Sequence, residues 1–598
     1  MQEEMRFNLT QIVGTDNSDL IKRKLEKVVS DAENINKEFK DSSGNISPKK
    51  ILALLDRYCS LIKEYDDYAL YAILFHLTDS LNQDAQTLYN TLNIIRSEAS
   101  KLLVFMETEI SHALNKNSKL ITNPKLTRYR HHLERIESRT PYRLSEAEER
   151  LNSLKNRTGV VAWSQLQSDW ISNQRWRFKY KGEEKNINYS EYSQTLAGHP
   201  DRAYRMEATK AVCRGLEDCS QIWAPALYNI IADHVAMYKT RGHPSYLTES
   251  LLMNDVPEDA LNSLNTAVKA NLDVIHRYLR LKAKLMGLRK LFEWDLYANI
   301  PKANTRNLTW EEARSLIFEA YNDFDESWGK LADESFKLRR IDAETRTGKN
   351  AYGRCLSWSR GGTGFVIGDF RGSMRDVSIL AHELGHANHY RMMRDLSPIY
   401  KPSNLFLRYP SMCMMECGSL FGELLLYDKL VGDSSDPLVR REVLCLALDS
   451  FNDNVFGALT MFEHQKSLYK AVDEGNSLGG EEMCAFWCNV RDSFYGDNVE
   501  YPDYLRWSWA GMPHYYRWDL QFYSYPYVFG ELLGYSLYSL YKKEGKRFAS
   551  KLASLLSKGS SISPAESLKE LGFDIESKNF WEMGFTQVKS YLDQIKAT

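Results

Sequence analysis

Cysteine, excess basic charge and long apolar runs are what this sequence has least of. Its nine cysteines are an odd number, thinly spread over 598 residues, which is not the pattern of a disulfide framework and fits a reducing compartment, expected to be the cytoplasm. Lys and Arg total 77 against 79 Asp and Glu, a net charge of -2. That balance gives no general attraction to phosphate backbones or anionic lipid, so neither nucleic acid nor a membrane is an expected partner. No stretch approaches eighteen apolar residues, and MQEEMRFNLTQIVG at the start places acids where a signal peptide carries basic residues; the expectation is a chain neither spanning a membrane nor secreted by that route. No period of about twenty to fifty residues recurs, which argues against a solenoid. What remains, 43% apolar and 26% charged, describes a soluble globular chain large enough for several cores.

The apolar spacing is mostly that of helices. From Pro48 to about Leu114 it recurs every three or four residues after a loop, DSSGNISPKK, rich in Ser, Gly and Asn. Lys125 to Lys155 reads as two helices broken at Thr140-Pro141, the second opened by a capping box of Ser145 and Glu148. Trp163 to Tyr189 has weak periodicity and dense aromatics and is expected to be a small strand insertion with a hairpin turning at Gly182. Helix returns from Pro200 to about Lys290, interrupted at Arg241-Gly242-His243-Pro244. Ala351 to Ser373 alternates short β-like runs with glycines; no G-K-[ST] closes them into a phosphate loop, so a hairpin is expected. The fold class is therefore mainly α with a small β element, and a division into residues 1–199 and 200–598 is expected.

That β element precedes SMRDVSILAHELGHANHYR, Ser373 to Arg391, whose cap residues and apolar stripe predict a helix. On it His382 and His386 are four residues apart, on one face about one turn apart, and can share one metal ion. Glu383 is offset by about a hundred degrees, beside such an ion, where a general base belongs. H-E-x-x-H arises by chance in roughly one chain of this composition in fifty, so the string alone does not make a site. A catalytic zinc needs a third protein ligand and an open position. The next helix, MECGSLFGELLLYD, offers Glu416 and Glu423 seven residues apart on one face; Glu416 follows His386 by thirty residues, with a loop through Ser397-Pro398 and Lys401-Pro402 between. Glu423 would accept a hydrogen bond from a ligand imidazole. His389 is a turn too far for the same ion and reads as packing or as a support behind the ligands. Cys413/Cys417 and Cys484/Cys488 lack the C-x-x-C spacing of a zinc knuckle and read as buried thiols.

RDVSILAHELGHANH, MMECGSLFGELLL and GDNVEYPDYLRWSWAGMPHYYR together resemble the oligoendopeptidase F branch of the thimet oligopeptidase-like zinc metallopeptidases, and similar text runs in order from about residue 120 to 580. The resemblance implies a two-lobed helical zinc peptidase cutting oligopeptides held in a deep channel. It implies one zinc ion on His382, His386 and Glu416, with Glu383 as base. It further implies His514 and one or more nearby tyrosines as donors to the tetrahedral oxyanion. Between His514 and Gly530 this chain is about three residues longer than the family pattern, leaving Tyr516, Tyr523, Tyr525 and Tyr527 as candidates; the spacing to Gly530 favours Tyr527 as catalytic and leaves the others as substrate contacts. GDFRGS at Gly368 to Ser373 also departs from the family pattern, and Phe365 to Asp369, Gly368 included, is expected to be an exposed strand edge that pairs with the peptide. The rival reading is a non-catalytic peptide-binding scaffold with a structural zinc, which would need a fourth ligand such as Cys413 or Cys417.

Overall fold

The computed structural model describes residues 5–40, 46–300, 307–350, 353–396 and 411–597. The stretch Asp41 to Asn45 and the loop through Ser397-Pro398 and Lys401-Pro402 lie outside them. The fold is 75% helical with small sheets. Packing divides the chain into two compact units that interleave along the sequence. One takes residues 1–141, 305–434 and 533–575, the other 142–304, 435–532 and 576–598, so neither follows a single boundary at residue 199.

In the first unit the helices Ser18–Phe39, Pro48–Thr78, Gln83–Leu103 and Phe105–Lys116 build one core around Leu25, Leu54, Cys59, Leu92 and Leu126. Each of the first three opens on a side chain that accepts a backbone N–H, from Asn17, Ser47 and Asn82. The same unit holds a three-stranded sheet in the order Ile341–Asp342, Thr363–Ile367, Arg354–Trp358. Its middle strand runs parallel to the first and antiparallel to the last, with Leu356 opposite Phe365. Every residue of that strand is buried. The expected exposed edge at Phe365 to Asp369 is therefore corrected: both neighbours of the strand are occupied, and the edge strands among the described residues are Ile341–Asp342 and Arg354–Trp358.

The second unit has its hairpin at Trp176–Tyr180 and Glu183–Ile187, turning through Lys181 and Gly182 at positive φ. The strand insertion is shorter than expected, because Trp163 and Trp170 lie in a helix, Val160–Asn173. Arg202–Asp218, Ser220–Arg241, Ala458–Asp473 and Gly480–Tyr495 are its principal helices. Two buried charges are paired inside it: Asp295 between Arg202 and Arg205 at 2.9 and 3.2 Å, and Lys282 with Asp449 at 2.7 Å.

Two helices of the first unit carry the sequence's chemical motif. The HExxH helix, Met374–Leu396, starts where Asp376 accepts the Ser373 N–H at 3.0 Å and Ser373 Oγ accepts the Asp376 N–H at 3.2 Å. It lies against the sheet and against the glutamate helix, Met412–Asp433. The two helices touch through glycines. A Cβ at Gly385 would fall 2.5 Å from the Gly418 carbonyl oxygen and 2.6 Å from Ser419 Cα, and one at Gly418 would fall 3.1 Å from the Gly385 oxygen.

Gly385→Ala should therefore destabilise the protein by about 1–3 kcal/mol through overpacking. Gly432→Ala, in the same glutamate helix but facing open space, should leave stability unchanged or raise it by up to about 1 kcal/mol. Denaturant unfolding of both variants checks the pair; equal effects would show that the glycine contact does not set the helix spacing.

Candidate metal centre

Because the two helices lie so close, short side chains span the gap. His382 Nε2 and His386 Nε2 stand 3.2 and 3.5 Å from Glu416 Oε2, and the three donor groups lie within 4.8 Å of one another. A tetrahedral ion with bonds of about 2.0–2.1 Å keeps its ligand atoms about 3.3–3.4 Å apart. The donor set thus fits zinc in chemistry and spacing. Among the described residues no cysteine joins the group; Cys413 and Cys417 are buried beside it in sequence but not in the cluster.

Behind the ligands stands a hydrogen-bonded chain. His382 Nδ1–H donates to Glu423 Oε2 at 3.1 Å, which turns the Nε2 lone pair toward Glu416 and His386. Glu423 Oε1 accepts from the Ser378 hydroxyl at 3.0 Å and from the Tyr427 hydroxyl. Glu416 accepts from the Ser419 hydroxyl at 2.9 Å. Tyr321, whose hydroxyl donates to the Ala381 carbonyl oxygen, fills the notch left by Gly422. Ser378, Tyr427, Ser419 and Tyr321 were missed from the sequence, although Ser378 and Tyr427 each stand one turn from a residue that was found. His389 is placed differently from Glu423: it is buried against the glutamate helix at Gly418, within reach of the Met415 and Leu556 carbonyls. It packs the two helices together.

Glu383 is buried, and a Cβ on Gly353 would come within 3.3 Å of its Oε1. The base candidate therefore sits at the start of the edge strand Arg354–Trp358. Burial pushes the Glu383 carboxyl up to about 7, with His382 pulling the other way. Burial acts on Glu416 as well, but the imidazoles of His386 and His382 outweigh it and hold that carboxyl down at about 2. Burial pushes His386 down to about 4. The two carboxylates thus have opposite proton affinities, Glu383 suited to carry a proton and Glu416 to stay ionised.

Gly368, read as a substrate contact, has both backbone groups engaged: its N–H donates to Asp342 O at 3.0 Å and its carbonyl accepts from Lys349 Nζ at 2.6 Å. That reading is corrected. In the second unit His514 stacks on Tyr523 with ring centroids 5.3 Å apart, and Tyr527 meets them edge-on at 6.0 and 5.4 Å. All three are partly exposed. Tyr516 and Tyr525, also read as substrate contacts, are core residues, 1% and 0% exposed. The Tyr525 hydroxyl donates to Ser250 O at 3.1 Å and accepts from Asn254 Nδ2 at 3.0 Å.

Comparison with known proteins identifies the family. The profile of Peptidase family M3 matches residues 195–587, and that of Oligopeptidase F matches 115–172. The group B oligopeptidase PepB of Streptococcus agalactiae is 22% identical over 100% of this chain and 97% of its own length. Oligopeptidase PepF of Bacillus subtilis is 24% identical over 80% of this chain and 70% of its own. Oligoendopeptidase F of Enterococcus faecium shares the fold, with a TM-score of 0.70 at 20% identity over 97% of this chain and 98% of that one. No helix among the described residues is long and apolar enough to cross a membrane. With two thirds of its length matched to one profile and the Streptococcus oligopeptidase aligned nearly end to end, the chain is a peptidase and belongs to peptidase family M3, in its oligoendopeptidase F branch.

Proposed function

We propose that the protein is a zinc endopeptidase that hydrolyses oligopeptides. The observation that carries this reading is the convergence of His382, His386 and Glu416 on one point with Glu383 buried beside it. Zinc, when bound there, polarises the scissile carbonyl and makes water acidic enough to react near neutral pH. The chain's own residues do the rest. Ser378 and Tyr427 fix Glu423, Glu423 fixes the His382 ring, and both act before substrate arrives. Glu383 accepts the proton of the attacking water and hands it to the departing amine nitrogen. Burial raises the proton affinity of Glu383, which favours its holding the proton between the two halves of that transfer.

The substrate lies extended beside the edge strand Arg354–Trp358, which leads to Glu383 at Gly353. His514, Tyr523 and Tyr527 act as the donors to the oxyanion, with Tyr527 first among the tyrosines. The names of the relatives support oligopeptides as the substrate class. A structural zinc in an inert scaffold is disfavoured, since a closed site would need a fourth protein ligand and among the described residues the group holds three.

Glu383→Gln should keep its zinc and lose about 10²- to 10⁴-fold in kcat/KM on a quenched fluorescent peptide of about nine residues. Retained activity would remove Glu383 from the reaction. Glu423→Gln should lower zinc affinity about 10- to 100-fold in chelator competition; unchanged affinity would make that carboxylate a mere packing group. His514→Ala and Tyr527→Phe should each lower kcat by about 10²- to 10³-fold with zinc content unchanged. A loss confined to KM would point to substrate binding instead.

A further inference from the structure

Two buried histidines that the reaction does not use hold the segment that carries His514. His464, on the helix Ala458–Asp473, is fully buried. Its Nε2 lies 3.1 Å from the Met483 carbonyl oxygen and its Nδ1 2.8 Å from the Tyr515 hydroxyl. A carbonyl only accepts, so Nε2 carries the proton and Nδ1 accepts from Tyr515. His234, on Ser220–Arg241, repeats the arrangement. Its Nε2–H donates to the Trp518 carbonyl at 3.1 Å and its Nδ1 accepts from the Tyr469 hydroxyl at 2.6 Å. Burial pushes the two imidazoles down to about 3 and about 4, so both are neutral near pH 7 and each keeps one tautomer.

These contacts fall on either end of one short piece of chain. Tyr515 directly follows His514, and Trp518 comes four residues after it. The chain then reverses at Phe522, which takes φ 55°, a costly conformation for a bulky residue. Phe522 is fully buried. It is wedged against Tyr469 at 4.6 Å, Phe462 at 5.7 Å and Tyr246 at 5.9 Å between ring centroids. The next residue is Tyr523, which returns to stack on His514. Tyr469 therefore serves twice, with its hydroxyl on His234 and its ring on the strained turn.

We propose that His464 and His234 are positioning residues for His514 and Tyr523: neutral imidazoles, each with one fixed tautomer, that clamp the two ends of the His514 segment and so set where its ring points. The proposal rests on the reading of His514 as an oxyanion donor. A donor displaced by about 1 Å loses about 10²-fold in effect, so a clamp that has lost one hydroxyl contact should show a smaller loss of the same kind. A buried histidine that only satisfies its own polar atoms would affect stability without affecting the donor.

Tyr515→Phe and Tyr469→Phe each remove one hydroxyl and keep the ring. They are made in the full-length zinc-loaded protein and again together with His514→Ala, and assayed on the nine-residue peptide. Each should lower kcat about 10-fold with KM changed less than about twofold, zinc content retained and the far-ultraviolet spectrum unchanged. In the His514→Ala background the further loss should fall below about twofold, because the group being positioned is gone. Equal losses in both backgrounds, or no loss in the parent, would overturn the proposal. If His514→Ala itself keeps full activity, the donor reading fails instead, and the clamp is then read without activity. In histidine-labelled protein the ring resonance of His514 should shift or double in Tyr515→Phe and Tyr469→Phe, and His464 and His234 should show the Nε2–H tautomer; an unmoved His514 resonance would overturn the clamp by itself.

Discussion

The contact between Gly385 and Gly418 sets the spacing of the two helices on which the metal centre is built. Histidine and glutamate side chains are short, and two histidines on one helix meet a glutamate on another only if the backbones come nearly into contact. The absent Cβ atoms allow that approach, and the cost is the extra backbone entropy that glycine loses on folding. Gly422 extends the same seam by admitting Tyr321, whose hydroxyl bonds the carbonyl of Ala381, the residue just before the first ligand. The seam therefore controls both the separation of the helices and the rotation of the ligand-bearing turn.

Buried polar groups are used in two ways in this protein. Asp295 with its two arginines and Lys282 with Asp449 are closed pairs in which opposite charges satisfy each other. Such pairs add little net stability but are costly to break. The group around His382 is arranged differently. Glu423 is fully engaged by Ser378, Tyr427 and His382, whereas burial outweighs the charges of His382 and Arg354 at Glu383 and pushes it toward a neutral form. Burial with partners makes a support, and burial with few partners makes a group that exchanges its proton. His464 and His234 belong to the first kind, neutral and doubly bonded.

Signals that act within a few residues were legible in the sequence. The Ser373 cap, the Ser145 and Glu148 capping box, the turn at Gly182 and the one-face pairing of His382 with His386 all appear where spacing placed them. Glu416 and Glu423 were legible as two acids on one helix face, with Glu423 read as the acceptor from a ligand imidazole, where it stands. Strand pairing and packing across distant segments were not legible. Phe365 to Asp369 reads as an edge in sequence, but the two-residue strand Ile341–Asp342 covers it from twenty-odd residues upstream. The tyrosines after His514 look alike in sequence. Only the reversal at Phe522 sends Tyr523 back to the histidine while Tyr525 turns into the core. The two interleaved units follow from the same cause, since each core collects three separate stretches of chain.

The central claim is that the glycine seam presents three nitrogen and oxygen ligands, and no sulfur, to one ion. X-ray absorption at the zinc edge of the loaded protein tests it most directly. The account predicts one zinc per chain with a first shell of nitrogen and oxygen alone at about 2.0–2.1 Å, including two imidazoles. A sulfur shell at about 2.3 Å, the signature of Cys413 or Cys417 as a ligand, would contradict it.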